Sequence, residues 1–165
     1  MPARFVPIVW LWLGAALLFT AVVAPAAFAV LPSRALAGLM VGRVLPVLFW
    51  SGAGVGLVLA ASAGGWRRAA ALVLLASALG AQWGIAPRIE RARADIGPEL
   101  ERVAADDPRR VAFGRLHGFS VMLLGLGMLA AGAIAVGELI RPSVSPRQGP
   151  AVPLRSPVSS LPSPR

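Results

Sequence analysis

The stretch FGRLHGFS, residues 113–120, carries the only histidine of the chain. Phe113, His117 and Ser120 follow i, i+4, i+7 spacing, so a helix places them on one face. Histidine titrates near neutral pH and its ring nitrogens ligate metals and haem iron. Met40, Met122 or Met128 are candidate second, soft ligands for haem or Cu(I), although methionine in an apolar helix ordinarily packs. The structural alternative has His117 donating to a carbonyl, or to a carboxylate such as Glu90, and so tying helices together. Hydrolytic chemistry has less support. Phe113, not a carboxylate, stands one turn before His117, and no G-x-S-x-G, H-E-x-x-H or glycine-rich phosphate loop occurs. No catalytic residue is assigned, and neither a cofactor nor a metal is expected, His117 being the one weak candidate ligand.

These residues have to be held by an apolar framework. Of 165 residues 57% are hydrophobic and only 14% are charged, too few to build the polar shell of a soluble domain. The apolar residues come in long blocks separated by short charged punctuation, as in membrane proteins. The absence of cysteine excludes disulfides, thiolate metal sites and cysteine nucleophiles. All sixteen basic side chains are arginines. A net charge of +9 in a soluble protein points to nucleic acid, but here the arginines cluster at block ends and in the tail. Anchoring at lipid headgroups accounts for them, and no nucleic-acid partner is expected.

The blocks define an all-α, integral membrane four-helix bundle over residues 1–140. The first span covers about 6–30. Its length, with Trp10, Trp12 and Pro25, favours a span over the rival reading as a signal peptide cut after "AFA", since signal cores run about 7–15 residues. The second block divides into an interfacial lead-in, 34–43, and a membrane core, 44–63, because Arg43 interrupts it. A third span, 69–87, follows the interface anchor "GGWRR". Residues 88–112 hold six of the seven acids and form a charged helical loop. Within it, Asp107-Pro108 is an N-cap followed by proline at the first helical position, so the fourth helix starts in water and spans about 116–138. Residues 141–165, rich in Pro, Ser and Arg, are expected to be a disordered tail. The basic residues divide comparably between the two faces and set no orientation.

Four spans bring several polar residues to one end. Arg43 lies near the start of the second helix, Arg88 and Glu90 near the end of the third, and Arg115 and His117 near the start of the fourth. Gln82 and Ser120 lie one or two turns deeper. A polar pocket of Arg43, Gln82, Arg88, Glu90, Arg115, His117 and Ser120 is therefore a candidate site, with snorkelling as the alternative for Arg43.

Helices in lipid associate through close contact of small residues. Gly38/Gly42, Gly80/Gly84 and Gly114/Gly118 make small-xxx-small pairs, and Gly118, Gly125 and Gly132 recur every seven residues. They are candidates for packing within the bundle or for a homodimer.

Four segments carry a family resemblance: "LWLGAALLFTAVVAPAAF" (11–28), "AGLMVGRVLPVLFW" (37–50), "APRIERAR" (86–93) and "FGRLHGFSVML" (113–123). The chain resembles the transmembrane-protein-205-like family, at Trp12, Gly14, Pro25, Phe28, Gly42, Pro87, Phe113, His117 and Ser120. The resemblance implies a four-helix membrane protein and brings no established reaction. More distantly, the layout is similar to copper-resistance-D-like and haem-binding four-helix proteins, which supply more histidines than this chain has.

The expectation is a multi-pass protein of the cell (cytoplasmic) membrane, a non-enzymatic component with the lipid bilayer as its partner. The alternatives are a haem- or copper-binding redox protein using His117, and a small transporter or proton-coupled component using Arg43, Glu90 and His117.

Overall fold

A computed structural model describes residues 5–97 and 103–140; the expected tail, 141–165, lies outside them. The described residues form four helices and no strand: α1 (Val6–Val30), α2 (Arg34–Ser62), α3 (Gly65–Ile96) and α4 (Pro108–Leu139). Each is long and apolar enough to cross a membrane. The protein is an all-α, multi-pass bundle, with α2 and α4 starting at the end where α1 and α3 finish.

Local chemistry sets the helix ends. Ser33 caps α2 by accepting a hydrogen bond from the Leu36 N–H at 3.2 Å. Asp107 caps α4, accepting from the Arg109 N–H at 2.8 Å and from its guanidinium at 3.1 and 2.9 Å. Pro108 then occupies a position whose missing N–H costs nothing. The tight α2–α3 connection places Gly65 at φ 57°, and Gly97 ends α3 at φ 77°. Both conformations disfavour residues with a Cβ.

Arg43 sits inside α2, which carries the expected helical lead-in, 34–43, and core, 44–63, as one run of 29 residues. Arg43 is exposed on the outer surface, so its long stem can carry the charge toward the interface without interrupting the helix. Likewise Pro87 does not end α3, which starts at Gly65 and continues to Ile96. Proline removes an N–H and crowds the carbonyl one turn back. Helix α3 widens into a π turn at Gly80–Ile85 just before it, with the Ala86 N–H reaching Ala81. Helix α1 repeats the device, with a π turn at Phe19–Val23 before Pro25 and the Ala24 N–H bonded to Phe19.

Packing in the middle of the bundle turns on Trp12. Its ring lies against Gly52 of α2, where a Cβ would sit 2.8 Å from the indole, and it approaches Gly127 of α4. Its buried Nε1–H donates to the Leu48 carbonyl at 3.0 Å. Gly56 lets α2 and α3 meet backbone to backbone, since a Cβ there would lie 2.8 Å from the Leu75 nitrogen. Val9, Leu59, Leu74 and Ile134, one from each helix, are fully buried.

The close approaches therefore fall on Gly52, Gly56, Gly127 and, at the far end, Gly137. They do not fall on the heptad seam read from the sequence. Positions Gly84, Gly114, Gly118 and Gly125 have open space where a Cβ would go, while Gly80 and Gly132 make only ordinary contact at 4.0 Å. The spans are apolar all round, so the sequence does not reveal which face turns inward.

Two outcomes follow. Gly56→Val should lower stability by about 1–3 kcal/mol through overpacking, while Gly125→Val should be tolerated; thermal unfolding in mild detergent distinguishes them. The Asp107 carboxyl is held down to about 2, chiefly by the side-chain hydrogen bond from Arg109 and then by the Arg109 N–H. A carboxyl depressed in the folded state stabilises above its ordinary value near 4, and that contribution is lost as pH falls through about 2. Amide exchange in the first turn of α4, corrected for intrinsic rate, should accelerate between about pH 4 and 2, and Asp107→Asn should abolish that acid dependence.

Candidate functional site

A cleft of about 650 Å³ opens at the end of the bundle where α2 and α4 begin. Its origin lies in the course of α3. Over Gly65–Leu79 this helix packs along both α2 and α4, whereas its final segment, Ala86–Ile96, keeps α4 and leaves α2. The π turn at Gly80–Ile85 is where α2 is lost as a neighbour. Trp83, within that turn, meets Trp50 of α2 edge to face with ring centroids 5.7 Å apart. Beyond this contact the helices part.

Arg93 spans the gap. Its Nη2 donates to the Gly38 carbonyl of α2 at 3.2 Å, and its guanidinium lies 5.9 Å from the Phe113 ring of α4. Gly38 and Gly42 accommodate this side chain, since Cβ atoms there would lie 3.4 and 3.6 Å from its nitrogens. The pair read as a helix–helix contact is instead a seat for a guanidinium. Arg93 was not among the sequence candidates because it belongs to a charged segment. The available signal was its position between Ile89 and Ile96, at i+4 and i+7 spacing, which puts it on the apolar face.

Of the seven residues expected to converge, Glu90, His117 and Ser120 line the cleft, and Arg43, Gln82, Arg88 and Arg115 do not. Arg43, Arg88 and Arg115 are exposed. The Gln82 side-chain oxygen is buried in the π turn with no hydrogen-bond partner among the described residues. The walls are largely apolar, with Phe28, Leu39, Leu45 and Phe113, and the cations at the cleft are Arg34, Arg93 and Arg110.

His117 is exposed and stacks parallel to Phe113 at 6.4 Å. No methionine lines the cleft; Met40 and Met122 are exposed, and Met128 packs against the core. Nor do the described residues gather three or more His, Cys, Asp or Glu side chains. Among the described residues, Glu90 is the acid that shares the cleft with His117, and Arg43 lies outside it.

Ser120 behaves differently from the other hydroxyls. Thr20, Ser51, Ser62 and Ser77 each return their hydroxyl to the carbonyl one turn back, at 2.6–2.8 Å. Ser120, only 6% exposed, lines the cleft and makes no hydrogen bond among the described residues. An adjoining recess of about 410 Å³ continues outward past Leu31, Pro32 and Ser33, sharing Phe28, Arg34 and Arg110 with the cleft.

The opposite end is tied shut. Arg67 of α3 pairs with Glu138 of α4 at 2.9 Å, and its Nη2 donates to the Gly137 carbonyl at 3.3 Å. The Trp66 ring fills the space a Cβ on Gly137 would occupy, 2.6 Å away. Arg68 donates to the Ala60 carbonyl at 2.9 Å, closing α3 onto the end of α2.

Fold and cleft together define a small multi-pass membrane protein with one closed and one open end. Residues 8–97 match the family described as Domain of unknown function (DUF4149), and with more than half of its length matched the chain belongs to that family. The match covers α1 to α3 and stops at Gly97, which ends α3. No curated protein and no solved structure matches the chain.

Proposed function

We propose that the protein is a non-enzymatic component of the cell membrane that works by holding a small amphipathic molecule in the end cleft. The observation that carries this reading is the unpartnered Ser120 hydroxyl on the wall of a largely apolar cleft that Gly38, Gly42 and Gly114 also line. The volume lies within the range of ligand pockets, roughly 300–1,000 Å³.

The non-enzymatic part rests on the donor set. His117 stacks on Phe113, and among the described residues no carboxylate hydrogen-bonds to it as the relay that activates a serine requires. The finer kinship, to transmembrane-protein-205-like proteins, belongs to this reading. Its support is that "FGRLHGFS" supplies Phe113, Gly114, His117 and Ser120 to one wall of the cleft.

The natural chain has no cysteine, so a single introduced thiol reports on its own surroundings. Ser120→Cys should react with a small polar thiol reagent despite its burial, and added Gly114→Leu should suppress that reaction by filling the cavity. Ser77→Cys, equally buried at 4% exposure but in the core, should stay unreactive. A Ser120→Cys protein as inert as Ser77→Cys would mean that the cleft does not admit a ligand.

A further inference from the structure

The lining of the cleft specifies more than a generic amphiphile. We infer that its occupant is an anionic glycerophospholipid drawn from the surrounding bilayer, with its phosphate between Arg93 and Arg110 and an acyl chain running toward Ser120. This inference rests on the reading of the cleft as a ligand site.

Three features of the lining converge on that class. The first is the order of its chemistry. The outer recess, past Pro32, Ser33, Arg34 and Arg110, is mainly polar, whereas the inner cleft is mainly apolar. At 1.5 Å per residue, Gly38 lies about 6 Å and Leu45 about 16 Å along α2 from Arg34. The cavity thus runs from headgroup level into the hydrocarbon, the gradient a lipid itself follows.

The second is charge. Arg93 and Arg110 line the cleft, with Glu90 the carboxylate among its lining residues. Among the described residues their hydrogen-bond acceptors are backbone carbonyls, those of Gly38 and Val103 at 3.2 and 2.6 Å, and neither guanidinium is within ion-pairing distance of a carboxylate. Guanidinium groups bind phosphate oxygens through paired N–H donors, and a zwitterionic headgroup offers the same phosphate with a cation beside it.

The third is access. Phe28 and Leu39 form an outer lip and are 45% and 46% exposed. They face the bilayer, so a lipid can enter sideways from its own leaflet.

The test uses the full-length protein in mild detergent, offered phosphatidylglycerol or phosphatidylcholine with identical chains, with retained lipid counted by native mass spectrometry. Wild type should keep one phosphatidylglycerol in preference to phosphatidylcholine. Arg93→Gln and Arg110→Gln should each weaken that retention about fivefold, the equivalent of about 1 kcal/mol per arginine near the surface. Two variants guard against a folding effect of losing the Arg93 bridge. Gly114→Leu should abolish retention by occupying the cleft. Arg115→Gln, at the same end but outside the cleft, should change nothing.

Equal losses from Arg115→Gln and Arg93→Gln would reduce the effect to general headgroup attraction and overturn the inference. Equal retention of both lipids, each blocked by Gly114→Leu, would overturn the anionic choice while leaving the cleft a ligand site. Retention of phosphatidylglycerol by Gly114→Leu at the wild-type level would overturn both.

Discussion

Pro25 and Pro87 stand inside helices that have no water to satisfy a freed carbonyl or relieve a crowded one. In hydrocarbon every backbone polar group must find its partner within the protein, so the helix around an internal proline has to accommodate the lost donor. Pro46 of α2 stands within regular α-helix, whereas Pro25 and Pro87 each follow a π turn, at Phe19–Val23 and Gly80–Ile85. The second turn has the larger consequence. Beyond it α3 stays on α4 but parts from α2, opening one end of the bundle. The Arg93 bridge and the shape of the cavity depend on that parting.

The open end is supported by a closed remainder. Lipid offers helices no hydrophobic reason to associate, so contact depends on backbones approaching closely. Gly52, Gly56 and Gly127 give that approach in the middle, around the Trp12 ring, and the Trp12–Leu48 hydrogen bond fixes the register of α1 on α2. The Arg67–Glu138 pair and Trp66 against Gly137 fix the far end. A bundle tied in this way can carry a permanent cavity at its other end without loosening as a whole. That is the property a resident lipid site requires.

The four membrane crossings were legible because apolar blocks of this length have no other stable use, and the starts at Ser33 and Asp107-Pro108 because caps are local chemistry. The course of α3 past Pro87 was not, because proline kinks or ends a helix in water and is accommodated here by the π turn before it. Glycine spacing indicated that close contacts exist; within the chain Gly52 and Gly56 carry them, while Gly118 and Gly125 have open space where a Cβ would go. The shared end of Glu90, His117 and Ser120 followed from topology alone. The exclusion of Arg43, Gln82, Arg88 and Arg115 depends on helix rotation, which these spans do not encode in any polar stripe. Arg93 was hidden by its charged neighbours, although the flanking isoleucines mark the face it belongs to.

The central claim is that α3 parts from α2 at the π turn before Pro87. Spin labels test it directly, because the chain contains no native cysteine. One pair, at Leu39 and Arg91, reports the α2–α3 separation at the open end; a second, at Leu57 and Leu72, reports it at the closed end. The account predicts a longer separation at the open end. It also predicts that Pro87→Ala shortens that distance and leaves the closed end unchanged. Equal separations at both ends, or a Pro87→Ala protein indistinguishable from wild type, would contradict it.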